Sequence, residues 1–229
     1  MKIVLLGSTG NLGKYLVKEL QSRDLTFYTP THKECSIERA EHLEHMQVKY
    51  NPDLIIHAAG FINTEKCETQ RDLCLEANVL GTYNVVKLCR KHNIRLTFIS
   101  SEYVFSGGGE EYPTGSALNP KNVYGLSKAC GEFMVKTLEN YIILRSPFIR
   151  SPKFPYPNAF DDQFTCRRYI HETTKDIINY SISLDQGIKH ILGKYQSVYE
   201  LAKETKNDVL PIKTSKTLKK ILPINLKLI

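Results

Sequence analysis

The sequence contains no run of apolar residues near the roughly 20 that a membrane-spanning helix needs. The apolar run at residues 3–6 is too short for the core of a secretion signal. Six cysteines are present, but none forms the C-x-x-C pair typical of structural zinc sites. These absences predict a cytoplasmic protein without membrane contact, with reduced cysteines and no metal.

Acidic residues are scarce near the C-terminal end, where residues 201–229 contain seven lysines but only Glu204 and Asp208. No aromatic residue lies among these lysines, which argues against nucleic-acid binding. Two interpretations stay open. The lysines form a solvated helix face, or they form an electropositive rim that attracts an anionic, phosphate-bearing substrate.

Short apolar runs alternate with amphipathic helical patterns along the chain. This alternation predicts an α/β fold of the doubly wound, Rossmann type, with a parallel sheet covered by helices on both faces. The predicted strands are 2–6, 25–28, 53–57, 94–100 and 141–145. The predicted helices are 11–22, 37–49, 72–92 and 123–139.

A glycine-rich segment directly follows the first predicted strand. Gly7, Gly10 and Gly13 have the spacing G-x-x-G-x-x-G, and a helix is predicted to start within it. Glycines let the backbone approach a pyrophosphate closely, and the helix start offers free N–H groups. The segment therefore predicts a dinucleotide site. Its predicted contacts are Gly7, Ser8, Thr9, Gly10, Asn11, Leu12 and Gly13.

The chain is predicted to divide at a proline-rich segment. Four of its ten prolines lie within residues 147–157, which a helix cannot cross. We therefore predict an NAD(P)-binding Rossmann domain over 1–146 and a small, shortened C-terminal substrate lobe over 147–229. Within this second part, one strand near 188–192 is predicted to return to the main sheet. Helices are predicted near 197–206 and 214–221.

The second predicted strand ends without the acidic residue that usually binds the ribose hydroxyl of NAD. No acid occurs there before Glu34, whereas His32 and Lys33 could face a 2′-phosphate. The pattern favours NADPH as cofactor, with NADH as the alternative. The other interpretation is that His32 and Lys33 are ordinary exposed loop residues.

Three tyrosines, Tyr83, Tyr124 and Tyr199, are each followed four positions later by a lysine. Only the pair Tyr124 and Lys128 begins a predicted helix after a strand that ends in serines. Residues four apart share a helix face, so the ammonium can lower the phenol pKa from about 10 toward neutrality. A general acid works best there, and Ser101 can donate a hydrogen bond to a carbonyl. The predicted catalytic residues of this oxidoreductase are Ser101, Tyr124 and Lys128.

These motifs together resemble the extended short-chain dehydrogenases/reductases, and within them the dTDP-4-dehydrorhamnose reductase branch. The resemblance is dense over residues 1–150 and patchy afterwards. It is carried by segments 57–60, 65–68, 78–82, 99–105, 119–125 and 143–145. Members of this branch are usually longer, so the resemblance implies that the substrate lobe is trimmed within residues 150–185.

The resemblance also implies contacts residue by residue. Further cofactor contacts are implied at Ala58, Ala59, Gly60, Asn78, Ser100, Tyr124 and Lys128. Substrate contacts are implied at Thr64, Ser101, Glu102, Tyr124 and Phe148. At three of these positions the chain departs from the branch: Ser101 replaces threonine, Glu102 aspartate and Phe148 tryptophan.

The implied activity is the NADPH-dependent reduction of a 4-keto group on a nucleotide-linked 6-deoxy sugar, of dTDP- or UDP-4-dehydrorhamnose type. Tyr124 would be the proton donor, and a homodimer is an open outcome. Two alternatives remain: a nucleotide-sugar epimerase that retains its NAD, and a non-catalytic, NADP-binding regulatory subunit. The intact trio Ser101, Tyr124 and Lys128 argues against the regulatory subunit.

Overall fold

The structure is a computed structural model that describes the backbone of residues 1–229 and every side chain except that of residue 110. The strands are β1 (Lys2–Leu6), β2 (Thr26–Tyr28), β3 (Leu54–His57), β4 (Arg95–Ser100), β5 (Gly108–Tyr112), β6 (Tyr141–Arg145), β7 (Phe148–Ile149), β8 (Asn158–Phe160), β9 (Phe164–Thr165), β10 (Arg168–Tyr169), β11 (Gly187–His190), β12 (Gln196–Ser197), β13 (Leu210–Ile212) and β14 (Asn225–Leu228). The helices are α1 (Asn11–Gln21), α2 (Ala40–Tyr50), α3 (Thr64–Thr69), α4 (Arg71–Leu75), α5 (Gly81–His92), α6 (Val123–Val135), α7 (Ile170–Ile182), α8 (Val198–Lys203) and α9 (Lys216–Ile221).

Six parallel strands form the main sheet in the order β11-β6-β4-β3-β1-β2. From β1 the chain builds outward in one direction through β2 and in the other through β3. This reversal opens a crevice at the carboxyl ends of β1 and β3, where open α/β sheets bind ligands. The predicted α/β class with a doubly wound parallel sheet is confirmed.

Alternating side chains of the strands are buried on opposite faces of the main sheet, because successive strand residues point in opposite directions. On one face, Val4 and Leu6 pack in a cluster with residues of α2, α5 and α6. On the other face, Ile3 and Leu5 pack with residues of α1 and α7. The sheet is therefore covered on both sides, and its ligand-binding edge stays open.

The helix predicted over 72–92 is interrupted by a π-helical turn, Glu76–Leu80, which lies between α4 and α5. Short π segments occur frequently at functional sites. The turn carries Asn78, whose side chain is buried and hydrogen-bonded to neighbouring elements. The continuous helix expected from periodicity is therefore wrong at this point, because the hydrogen-bonding pattern of the backbone changes there.

Helix α7 was not predicted, although it is as long as α6. It packs against α1 and buries Ile177 and Ile178 with that helix's apolar residues. Thr173 and Thr174 lower its helix propensity, because β-branched side chains lose rotamer freedom in a helix. Its stability comes from packing on the main sheet rather than from local preference.

The C-terminal part also forms a small lobe with its own apolar cluster, which includes Ile149, Tyr169 and Leu201. Strand β14 pairs with β5 and β9, so the end of the chain is joined to the segment that follows β4. No helix among the described residues is long and apolar enough to cross a membrane. All six cysteines are free thiols.

Candidate active site

A cavity of about 850 Å³ lies at the carboxyl ends of β1, β3 and β4. Its volume falls in the range of roughly 300–1,000 Å³ typical of small-molecule sites. Most of the predicted site residues line it. These are Gly7, Ser8, Thr9, Gly10, Asn11, Leu12, Gly13, His32, Ala58, Ala59, Gly60, Thr64, Ser100, Ser101, Glu102, Tyr124, Lys128 and Phe148. Lys33 and Asn78 are not brought to the cavity wall.

The glycine segment is folded so tightly that side chains would not fit. A Cβ on Gly13 would lie 2.1 Å from the carbonyl oxygen of Gly7, and one on Gly7 would lie 2.5 Å from the amide nitrogen of Ala59. Gly7 also has a φ of +87°, which favours glycine. No side chain caps α1, so its first N–H groups remain available to an anion. The segment fits a dinucleotide pyrophosphate.

His32 lies at the edge of this end of the cavity, close to an acid that sequence reasoning missed. Its Nε2 is 3.4 Å from Oε2 of Glu38, which also lines the cavity. The hydroxyl of Ser36 donates a hydrogen bond to the same carboxylate. Lys33 is exposed and outside the wall. Glu38 could have been found as the second acid after the second predicted strand, four residues beyond Glu34.

Asn78 supports the cavity from behind. Its amide nitrogen donates to the carbonyl oxygen of Phe61 at 2.9 Å and to Oγ of Ser127 at 2.9 Å, and its Oδ1 accepts from the Phe61 N–H at 2.7 Å. These bonds occupy the side chain and connect the loop after β3 to α6. The cofactor contact expected of Asn78 is therefore replaced by a supporting role.

Tyr124 lies in the first turn of α6, where the helix start is held by two side chains. Oδ1 of Asn122 accepts from the Gly125 N–H at 2.7 Å, and Oε1 of Glu68 accepts from the Val123 N–H at 2.7 Å. Caps of this kind hold the first helical turn in place. They set the position of the Tyr124 ring, which lines the same cavity as the glycine segment.

The expected lowering of the Tyr124 pKa is wrong for this structure. Burial raises the pKa of Tyr124 to about 12, while a hydrogen bond with Ser101 and the charge of Arg150 act in the opposite direction. Burial also lowers the pKa of Lys128 to about 7, and its Nζ lies 3.9 Å from the ring centroid of Phe98. Desolvation is therefore the largest influence on both pKa values, because the Tyr124 phenol and the Lys128 ammonium lie in a buried part of the cavity wall.

A buried ion pair lies next to the residues predicted to be catalytic. Arg145 donates to Glu132 through Nε at 2.9 Å and through Nη2 at 2.7 Å, and both residues are almost fully buried. Ser100 donates to the same carboxylate at 2.6 Å. Glu132 also acts to raise the pKa of Lys128. Charge-assisted hydrogen bonds thus join the carboxyl ends of β4 and β6 to α6.

Glu102 lines the cavity, but both of its carboxylate oxygens are engaged. Nε of Arg167 donates to Oε1 at 2.6 Å, and the Thr165 hydroxyl donates to Oε2 at 2.6 Å. Arg167 also donates to the Tyr103 hydroxyl at 3.1 Å. Burial acts to lower the pKa of Arg167, but the charges of Glu102 and Tyr103 and the hydrogen bonds to them together raise it. The sugar contact implied for Glu102 is thus replaced by an ion pair.

Two arginines in the cavity wall, Arg150 and Arg167, were also missed by sequence reasoning. Arg150 lies at the end of the part where the family resemblance is dense, and Arg167 lies in the part where it is patchy. A signal was available for Arg150, which stands two residues after the implied substrate contact Phe148. Arg167 offered no local signal, because its partner Glu102 is 65 positions away.

The chain is similar to several proteins of known name. The RmlD substrate binding domain family matches residues 1–164. The spore coat polysaccharide biosynthesis protein SpsK of Bacillus subtilis is 28% identical over 150 residues, which cover 65% of this chain and 53% of that protein. The methionine adenosyltransferase 2 subunit beta of Rattus norvegicus is 28% identical over 158 residues, which cover 65% and 47%. The chain therefore spans about half the length of the curated relatives it matches.

A solved structure shares the whole architecture. The dTDP-4-dehydrorhamnose reductase of Bacillus anthracis, in complex with NADP, superposes with a TM-score of 0.84 at 26% identity, over 93% of this chain and 84% of that one. The family match covers well over half of this chain, including β1 to β8 and every predicted site residue. By its sequence and its fold, this chain belongs to the RmlD substrate binding domain family.

Proposed function

We propose that this protein is an NADPH-dependent reductase that acts on the keto group of a nucleotide-linked 4-keto-6-deoxy sugar, of dTDP- or UDP-4-dehydrorhamnose type. One observation carries the proposal. The glycine segment and the trio Ser101, Tyr124 and Lys128 line a single cavity. The similarity to a reductase in complex with NADP supports the same activity.

Each group has a distinct task in this reaction. NADPH, when bound, supplies a hydride to the carbonyl carbon of the sugar. The backbone from Gly7 to Gly13 holds the pyrophosphate, and His32 lies where a 2′-phosphate can be bound. The Ser101 hydroxyl donates a hydrogen bond to the carbonyl oxygen, and Tyr124 transfers its proton to that oxygen. The keto group thereby becomes a hydroxyl group.

The raised pKa of Tyr124 keeps its phenol protonated but makes it a weaker acid than one with a pKa near neutrality. With a pKa of about 12, the phenol carries its proton throughout the neutral range, which is the form that a proton donor needs. Lys128, with a pKa lowered to about 7, is partly neutral at the same pH and adds little repulsion to a cationic, oxidised cofactor. Both shifts have burial as their largest cause.

The substitution Tyr124→Phe tests this assignment. Loss of the proton donor is expected to reduce turnover by about 10²- to 10⁴-fold, while NADP affinity stays within twofold of wild type. Tyr83→Phe is the matched control, because Tyr83 is exposed and outside the cavity. Wild-type turnover in Tyr124→Phe would remove the tyrosine from the mechanism.

A second candidate is a non-catalytic, NADP-binding regulatory subunit, which the similarity to the methionine adenosyltransferase 2 subunit beta favours. An assay with NADPH and a 4-keto sugar linked to dTDP or UDP separates the two. Turnover supports the reductase and identifies the nucleotide, whereas tight NADP binding without turnover supports the regulatory subunit. NAD that stays bound through gel filtration would instead support the epimerase.

We also propose that the protein forms a homodimer through one helix face. Four large side chains on the adjacent helical segments around α5 and α6 are exposed by 45–60%: Leu80, Tyr83, Leu126 and Phe133. Along the first segment, exposed Glu76 precedes these residues and exposed Lys87 follows them. A two-fold axis that packs this segment against its own copy in antiparallel fashion pairs each acid with the partner's base.

Light scattering after gel filtration tests the homodimer. Phe133→Glu is expected to convert a dimer to a monomer, because it buries an uncompensated charge in the apolar face. Leu184→Glu serves as the control, since Leu184 is 96% exposed and lies outside this face. A wild-type protein that stays monomeric at high concentration would contradict the proposal.

A further inference from the structure

Some of the charged groups of the cavity wall are paired with each other, and others are not. Glu102 binds Arg167, and His32 lies beside Glu38. Lys128 is buried against the Phe98 ring with its pKa lowered to about 7. Within the part of the chain that the structure describes, Arg150 is the guanidinium in this wall that makes no ion pair.

Arg150 is exposed, but a hydrogen bond fixes its guanidinium at the cavity wall. It directly follows β7, and its Nη2 donates to the carbonyl oxygen of Ile62 at 2.7 Å. That bond joins the segment after β7 to the loop after β3 across 88 positions of sequence. A guanidinium has five N–H donors, so most of them remain available to a ligand in the cavity.

The location of Arg150 points to the substrate rather than the cofactor. Its neighbours in the wall include Phe148, Ser151 and the loop residues Asn63 and Thr64, far along the chain from the glycine segment. Its charge acts on Tyr124, which donates the proton in the proposed reaction. A guanidinium placed here meets the molecule whose carbonyl is reduced.

We propose that Arg150 binds an oxyanion of the substrate and thereby selects a negatively charged sugar derivative. The inference rests on the proposed reductase function and adds the group that recognises the substrate. Arginine suits this task because its planar fork binds phosphate or carboxylate oxygens in pairs. The oxyanion has two chemical sources: the diphosphate of the nucleotide, which every nucleotide-linked sugar carries, or a ring carboxylate, which a uronic acid carries and a 6-deoxy sugar lacks.

The free donors of Arg150 favour an anionic ligand. Glu102 is bound by Arg167, whereas Arg150 has no carboxylate partner in the described residues. Glu65 also lines the cavity, but no ion pair joins it to Arg150 in the described residues. A substrate oxyanion supplies a direct counter-charge to Arg150 and accepts its free N–H donors, and a neutral group supplies no counter-charge.

Calorimetric titration of NADP-loaded protein tests the proposal, with Arg150→Gln compared to wild type. The probes are dTDP, thymidine, UDP-glucuronate and UDP-glucose. Loss of this charged hydrogen-bonding partner is expected to weaken binding of the probe that carries the recognised oxyanion, dTDP or UDP-glucuronate, about tenfold to a hundredfold. Lys153→Gln is the matched control, because it removes the same charge from an exposed residue of the same segment outside the wall.

The probes separate the two sources of the oxyanion. If Arg150 binds the diphosphate, the preference of wild type for dTDP over thymidine shrinks in Arg150→Gln. If it binds a sugar carboxylate, the preference for UDP-glucuronate over UDP-glucose shrinks instead. Arg150→Lys is expected to recover part of either preference, because it restores the charge but not the fork.

A structural role for Arg150 would have a different result. Arg150→Gln would then lower the melting temperature and weaken NADP binding along with all four probes. That pattern, or unchanged affinity for every probe, overturns the proposal while leaving the reductase function intact. If wild type binds none of the probes and reduces no nucleotide sugar, the proposed function fails and this inference fails with it.

Discussion

The two ends of the cavity are built in different ways. At the cofactor end, the wall is backbone: Gly7 and Gly13 approach their neighbours so closely that a Cβ would overlap them. At the substrate end, the wall is made of charged side chains such as Glu102, Arg150 and Arg167. The cofactor end depends on the absence of side chains at glycines within a seven-residue segment. The substrate end depends on side chains whose hydrogen-bonding partners lie more than 60 positions away in the sequence.

The difference teaches where each kind of site tolerates change. A site formed by backbone is expected to lose affinity for its ligand when a Cβ is added to Gly7 or Gly13, whereas a change of side-chain charge there has little effect on that affinity. A side-chain site fails when one member of a pair is removed, because the remaining buried charge loses its partner. The variants below are chosen to disturb one end while leaving the other as it is.

The largest expected effect is at the ion pair beneath the charged end. Glu132→Gln leaves the guanidinium of Arg145 buried without its counter-charge, and removes the ionised partner of Ser100. We expect the free energy of unfolding in urea to fall by about 3–5 kcal/mol. Glu44→Gln, at the exposed pair with Lys91, is the control and should cost at most about 1 kcal/mol. Equal losses in the two variants would contradict the role of burial.

The next effect concerns the backbone end. Gly13→Ala places a Cβ 2.1 Å from the Gly7 carbonyl oxygen, so the cradle must shift. We expect NADP affinity, measured by calorimetry, to fall about tenfold to a hundredfold, which corresponds to the usual cost of overpacking. Gly115→Ala is the control, because a Cβ there meets no neighbouring atom. If dTDP affinity fell as far as NADP affinity, the two ends would not be independent.

Lys128→Met is expected to stabilise the protein while abolishing catalysis. The pKa of Lys128 is about 7 in the folded state and about 10.5 when unfolded. Between these values the unfolded chain keeps a proton that the folded chain has released, so wild-type stability rises with pH. Methionine removes this cost of burial. The melting temperature should therefore rise by about 2–4 °C or more at pH 6, and the gain should disappear as the pH approaches 10. A gain that is the same at both pH values would argue against a buried ammonium.

The smallest effect is expected at His32, at the cofactor end. His32→Ala should reduce the preference for NADPH over NADH by about threefold to fivefold, because an exposed polar contact to the 2′-phosphate contributes at most about 1 kcal/mol. The ratio of Michaelis constants measures it. Lys33→Ala is the control, since Lys33 lies outside the cavity wall. A wild-type enzyme that prefers NADH would contradict the assignment of NADPH as the cofactor bound at this end.

Local patterns predicted much of this molecule. The five predicted strands of the first 146 residues are present within two residues of their expected bounds, because buried strands are continuous apolar runs. Tyr124 and Lys128 were selected among three similar pairs by their place after a serine-ended strand, and this pair lies in the cavity. The neighbouring helix α7 was missed, since it is held by packing on α1 rather than by its own periodicity.

The sequence by itself determined the parallel sheet and the cofactor end of the cavity, because the alternation of apolar strands with amphipathic helices and the glycine turn are patterns of residues that are neighbours in the chain. Only the tertiary structure decided the charge states and the substrate end. Burial raises the pKa of Tyr124 and lowers that of Lys128, and it depends on every element packed around them. Arg150 and Arg167 likewise acquire their roles from contacts with Ile62 and Glu102, which only the folded chain brings together.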